Sequence, residues 1–146
     1  MYTKDIAGNK KAYHDYEIKE KIECGIELKG TEVKSAKNNG ASIKEAYVKI
    51  IQGEVYVVGM NIKPYEFGSY NNSDPLRDRK LLMHKREIKK LKEEIQLSGM
   101  TLVPLRLYIK GGLIKMEIGL AEGKNRADKR QALAKKDAER RMNKYK

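Results

Sequence analysis

Apolar and polar positions alternate most regularly in "LRLYIKGGLIKMEIGL", residues 105–120. Leu105, Leu107 and Ile109 alternate with Arg106, Tyr108 and Lys110; after Gly111-Gly112, Ile114, Met116, Ile118 and Leu120 alternate with Lys115, Glu117 and Gly119. A period of two on both sides of Gly-Gly predicts a β-hairpin, because both glycines accept positive φ. "AYVKIIQGEVYVVGM" predicts a second hairpin, turning at Gln52-Gly53. Ile18, Ile22, Cys24, Ile26 and Leu28 share one parity and predict a long early strand. Glu20 interrupts that parity, which predicts a bend or bulge there.

Two stretches carry helical spacing instead. "HKREIKKLKEEIQLSG" places Ile88, Leu91 and Ile95 three and four residues apart, with Ser98-Gly99 as the stop. "GTEVKSAKNNG" predicts a short helix with Thr31 as N-cap and Asn39-Gly40 as terminator. Between Pro64 and Pro75, "PYEFGSYNNSDP" is rich in turn formers and reads as a loop. Five or six short antiparallel strands with helices between hairpins predict a mainly β domain. The expected architecture is a small antiparallel, OB-like β-barrel with two or three peripheral helices, since closure removes exposed strand edges. An open α+β sheet is the competing architecture.

The pattern stops at residue 123. Of the last 24 residues, ten are Lys or Arg and three are Asp or Glu, a net charge of +7. A helix here would present only Ala134, Ala138, Met142 and Tyr145 as an apolar stripe. Two alanines bury too little surface to offset ordering at roughly 1–2 kcal/mol per residue. The chain therefore divides into a body, 1–122, and a basic tail, 123–146. The tail is expected to be disordered when free and helical against a polyanion. A helix docked on the barrel is the alternative.

Charge narrows the function. The net charge is +12, of which the body holds +5. That sign and unevenness point to an anionic partner, nucleic acid before an anionic membrane. The sequence contains no apolar run near the ~20 residues of a membrane span, and no signal-like stretch at the start. Cys24 is the only cysteine, which excludes a disulfide framework and a cysteine metal site and predicts a buried thiol. A cytoplasmic location follows as the default, with no membrane partner.

Catalytic signals are weak. His14-Asp15 is one adjacent pair, on opposite faces if the segment is extended, and His84 has no Cys or His nearby. No Gly-rich phosphate loop is present. No enzyme activity, metal or cofactor is expected. Basic residues do cluster with aromatic and His side chains in two places. "NKKAYHDY" contributes Asn9, Lys10, Lys11, His14 and Tyr16; "RDRKLLMHKREIKK" contributes Arg79, Lys80, Leu82, His84, Lys85 and Arg86. Lys and Arg suit phosphates, and Tyr or His suits unpaired bases. The residues leave open an adaptor for a structured RNA, a barrel protein of ribosomal RNA, and a small RNA-directed enzyme.

Seven stretches, in order, resemble the SmpB family of bacterial tmRNA-binding proteins over essentially the whole chain. They are "NKKAYHDYEI", "GIELKGTEVKSAK", "SIKEAYVKI", "NIKPYEFG", "DPLRDRKLLMHKREI", "LVPLRLYIKGG" and "GK" followed by "DKR". The resemblance implies an OB-like barrel that binds the tRNA-like domain of tmRNA and delivers it to stalled ribosomes for trans-translation. It also implies a tail that occupies the small-subunit decoding centre and the empty mRNA channel, and a protein that is monomeric when free. Asn9, Tyr16 and Glu23 fall where the family places tmRNA contacts; Leu82 and Lys34 lie in matching stretches. In the tail, Gly123 and Lys124 match the start of the family motif, and Asp128, Lys129 and Arg130 its end. The chain departs from the pattern at Asn125, where a second Lys is usual, and at Ala127, where an aromatic or His is frequent. Arg126 restores the charge between them. Leu113 stands near the place of a frequent Trp.

Overall fold

The computed structural model describes residues 3–65 and 74–124. The expected tail residues Arg126, Asp128, Lys129 and Arg130, and most of the 64–75 loop, lie outside the described residues. The elements run β1 (Thr3–Gly8), α1 (Lys10–Asp15), β2 (Tyr16–Ile26), α2 (Gly30–Lys37), β3 (Ala41–Ser42), β4 (Tyr47–Ile51) and β5 (Glu54–Val58). Then come β6 (Asn61–Ile62), β7 (Arg79–Leu82), α3 (Lys85–Ser98), β8 (Thr101–Lys110) and β9 (Leu113–Gly123). Seven strands form one antiparallel sheet in the order β1-β8-β9-β2-β7-β5-β4, and β3 pairs with β6. The sheet curls until β4 approaches β8, the shape of a small barrel left open between ladders.

Both hairpins lie where the period of two placed them. Leu113 pairs with Lys110 across Gly111-Gly112, and Ile51 with Glu54 across Gln52-Gly53. Gln52 and Gly53 both have positive φ, 50° and 77°, so the turn twists with its strands. Helix α3 buries Ile88 and Leu91 and stops at Gly99, whose φ is 70°. Helix α2 begins earlier than expected. Lys29, not Thr31, is the cap residue, because Glu32 Oε1 reaches back to accept the Lys29 N–H at 2.9 Å. Two elements carried no clear pattern: β1, and α1, a six-residue helix that includes His14 and Asp15. On α1 their side chains meet, His14 Nδ1 lying 3.0 Å from Asp15 Oδ1.

Bulges split the apolar residues between two faces. The β2–β9 register shifts between Ile18 and Glu20, and the β8–β9 register between Pro104 and Arg106. Each extra residue reverses the alternation beyond it. Ile22, Cys24, Ile26, Leu107, Met116, Ile118 and Leu120 therefore fill the main core with α3, while Ile18 and Leu105 turn outwards. There they join Ala12, Val103 and Ala121 in a small second core beneath α1. Gly119 makes room for it: a Cβ there would stand 3.0 Å from Leu105 Cδ1 and 3.1 Å from Ile18 Cγ2. Cys24 is buried, donates to the Met116 carbonyl at 3.4 Å, and burial pushes its thiol up to about 12.

Candidate nucleic-acid interface

The outer face of β7-β2-β9-β8 brings together residues from both clusters and from neither. Beyond the bulge, Lys21, Glu23 and Gly25 point away from the core on β2. Glu23 lies opposite Glu117 on β9; Gly25 lies between Lys115 on β9 and Leu82 on β7. Leu82 Cβ would be 3.3 Å from a Cβ on Gly25, so it drapes over β2 and remains 51 % exposed. Glu23 and Leu82, 59 residues apart in the numbering, thus share one strip.

Glu23 is held by two partners from β8. Tyr108 Oη donates to Oε2, and Lys110 Nζ lies 3.2 Å from Oε2 and 3.3 Å from Oε1. The Tyr108 hydrogen bond, with help from Lys110 and Lys115, holds the carboxyl below its usual range. Tyr108 had been read as a polar-face residue, yet it is 1 % exposed. Arg106 covers it, the guanidinium carbon 4.1 Å from the ring centroid. Asp5 on β1, 2.7 Å away, and Glu117 on β9, 3.7 Å away, hold Arg106 in turn.

Helix α1 stands at the start of β2. Lys10, Lys11 and His14 are exposed there, and Lys21 lies over the Tyr13 ring at 5.3 Å. Tyr16 is half-buried and pairs with Gly123, the last rung of the β2–β9 ladder. Lys124 Nζ then reaches the Tyr13 carbonyl at 3.2 Å. The root of the tail therefore sits against α1. From Tyr16 to Gly25 the strand spans roughly 30 Å at ~3.3 Å per residue, so α1 and Leu82 mark the ends of a long face.

The second cluster divides. His84 is the cap residue of α3, and His84, Lys85 and Arg86 are all exposed just past β7. Lys80 is half-buried and 3.4 Å from Glu54. Lys34 is exposed and lies over the Tyr65 ring at 5.5 Å. Two expected contacts need correction. Arg79 is fully buried and bonds Glu32 at 2.7 Å and the Met60 carbonyl at 2.7 Å, so it has no surface for a phosphate. Asn9 is 7 % exposed and caps α1, accepting from the Ala12 N–H and donating to the Pro104 carbonyl at 2.8 Å. It orients α1 from beneath.

Tyr108, Arg106, Lys110 and Lys115 were missed as site residues, because alternation assigns a face but not what covers it. Chemically, the strip offers ammonium groups for phosphates, a carboxylate that accepts hydrogen bonds, and apolar surface at Leu82. A family model described as SmpB protein matches residues 6–146.

The chain belongs to the SmpB family.

A relative from Caldicellulosiruptor bescii, called SsrA-binding protein, is 54 % identical over 93 % of this chain and 86 % of its own. One from Fusobacterium nucleatum, with the same name, is 53 % identical over 94 % and 93 %. A solved chain from "tmRNA-SmpB: a journey to the center of the bacterial ribosome" is 47 % identical, with TM-score 0.65 over 80 % of this chain and 82 % of that one. Within the SmpB family, then, the outer strip and α1 are this chain's candidate RNA surface.

Proposed function

We propose that this chain binds the tRNA-like domain of tmRNA and brings it to stalled ribosomes for trans-translation. It acts as a non-enzymatic adaptor in the cytoplasm, monomeric when free. The observation that carries this reading is identity above half with proteins named SsrA-binding protein along almost the whole length. The outer strip and α1 supply the RNA contacts: Lys10, Lys11, His14 and Tyr16 at one end, and Glu23, Leu82, His84, Lys85 and Arg86 towards the other. Lys34 and Lys80 flank them. The tail, with Gly123, Lys124, Arg126, Asp128, Lys129 and Arg130, serves the decoding centre and mRNA channel of the small subunit. Its +7 charge suits ribosomal RNA, whose phosphates release counterions on binding.

Truncation tests the division of labour. A chain ending at Lys124 keeps the complete β2–β9 ladder, so it should melt as the full chain does. It should bind the tRNA-like domain over an equal-sized structured RNA at physiological salt, yet fail to rescue stalled ribosomes. Equal binding to both RNAs by the full chain would instead mean a general RNA-binding barrel. Loss of selective binding on truncation would assign recognition to the tail.

A further inference from the structure

We infer that Tyr108 is a positioning residue for RNA recognition: its hydroxyl, reached from beneath the outer strip, fixes the carboxylate of Glu23 so that one oxygen faces the RNA. The inference rests on the proposed function, and it concerns a residue that lies within the stretch "LVPLRLYIKGG" but was given no role there.

The geometry carries it. Tyr108 lies on the outward parity of β8, opposite Asp5 on one side and Lys115 on the other. A tyrosine there would ordinarily lie in solvent. Instead it is almost fully buried, with Arg106 stacked over its ring. Arg106 is itself fixed by Asp5 and Glu117, from the strands on either side. A planar guanidinium held on two sides has little freedom to swing away. The ring is thus clamped, and its hydroxyl points at Glu23 Oε2.

Glu23 shows what the clamp is for. Oε2 accepts from Tyr108 and Lys110, whereas Oε1, among the described residues, has only Lys110 at 3.3 Å. An ionised carboxylate offers about four acceptor positions. Oε1 therefore keeps capacity for a base amino group or a ribose 2′-hydroxyl, groups that distinguish a folded RNA from a mere polyanion. Without the Tyr108 bond, Glu23 would be held only by the flexible Lys110 side chain, free to swing towards Lys21 or Lys115 with neither oxygen fixed towards the RNA.

The charged and titratable groups facing Glu23 are Tyr108, Lys110 and Arg106 on β8, Glu117 and Lys115 on β9, and Lys21 on β2; β7 presents Leu82. Partial burial opposes ionisation of Glu23, and the Tyr108 hydrogen bond outweighs it. Removing that bond raises the Glu23 pKa. As pH falls, the variant then protonates Glu23 before the wild type does.

The test uses the full chain with Tyr108→Phe, Glu23→Gln and the double variant. Tyr108→Phe removes one oxygen and leaves the ring under Arg106; circular dichroism and melting check that the fold is kept. Binding to the tmRNA tRNA-like domain and to an equal-sized control RNA is measured at pH 7 and pH 5. A charge-assisted hydrogen bond to RNA corresponds to a loss of about tenfold in Glu23→Gln. Tyr108→Phe should lose about three- to tenfold on the tRNA-like domain only, with no further loss in the double variant. Glu23→Gln corrects for any effect of pH on the RNA itself. If Glu23→Gln weakens binding and Tyr108→Phe matches wild type at both pH values, the positioning role is overturned while the function stands. Equal weakening on both RNAs with a lowered melting temperature would make Tyr108 merely structural, which also overturns it. If neither variant matters, Glu23 is no RNA contact and the inference falls with it. A wild type that does not prefer the tRNA-like domain would overturn the proposed function itself.

Discussion

Two carboxylates in this protein are held by basic partners to opposite ends. Glu32, on α2, is 4 % exposed. Its oxygens take the Lys29 N–H at 2.9 Å, Arg77 Nε at 3.0 Å, Arg79 Nε at 2.7 Å, and a further contact from Arg77. Burial alone would raise its pKa; the bonds from Arg77, Lys29 and Arg79 overcome that and leave it lowered. Every acceptor position is occupied, and the group ties α2 to β7 and the segment before it. Glu23, on β2, is more than a third exposed, is also lowered, and keeps an oxygen with room to accept. A shifted carboxylate therefore says nothing about role until its free valence is counted. Glu32 is part of the fold, and Glu23 is available to a ligand.

The largest effect expected from this contrast is at Glu32. Glu32→Ala leaves Arg79 buried without its counter-ion, which costs about 3–5 kcal/mol and a fall in melting temperature of ~10 °C or more. Its pH dependence has a definite sign. A folded-state pKa below the ordinary 4.5 gives stability that is complete above that value and is lost as pH falls through the lower one. Calorimetry from pH 6 to pH 2 should show a steep acid limb in wild type and a shallower one in Glu32→Ala. An unchanged limb would mean that other carboxylates govern acid unfolding.

A middle-sized effect belongs to the second core, which supports the α1 end of the strip. Gly119→Val forces atoms against Leu105 and Ile18 and should cost about 1–3 kcal/mol. Hydrogen exchange should rise in α1 before it rises in the main core. Uniform loss of protection would show that the two cores melt as one unit. The smallest effect is Glu23→Gln, which should alter stability by no more than about 0.5 kcal/mol while weakening selective RNA binding. A large loss of stability there would move Glu23 into the same class as Glu32.

The period of two located both hairpins and the long strand, because half-buried strands must alternate. The spacing of Ile88, Leu91 and Ile95 located α3 for the same reason in helical form. Glu20 marked the first bulge but not its consequence, that Ile18 leaves the main core. Nor did the pattern show α1, whose six residues stand on Asn9 and on a carbonyl of Pro104, 95 positions away. Arg79 read as a phosphate ligand because its neighbours are basic; its partner Glu32 lies 47 positions earlier, beyond any local pattern.

By itself the sequence determined the mainly β body, the places of the hairpins and α3, the lopsided positive charge and the family resemblance. Each of these rests on local spacing, composition or residue order, which the chain carries before it folds. The tertiary structure alone decided which charged groups face outwards. Ladder register put Leu82 beside Gly25, two residues from Glu23, and the bulge near Pro104 set which side chains of β8 face the strip. Burial then closed the choice: Arg79 sank beside Glu32, and Tyr108, capped by Arg106, was left with Glu23 as the acceptor for its hydroxyl.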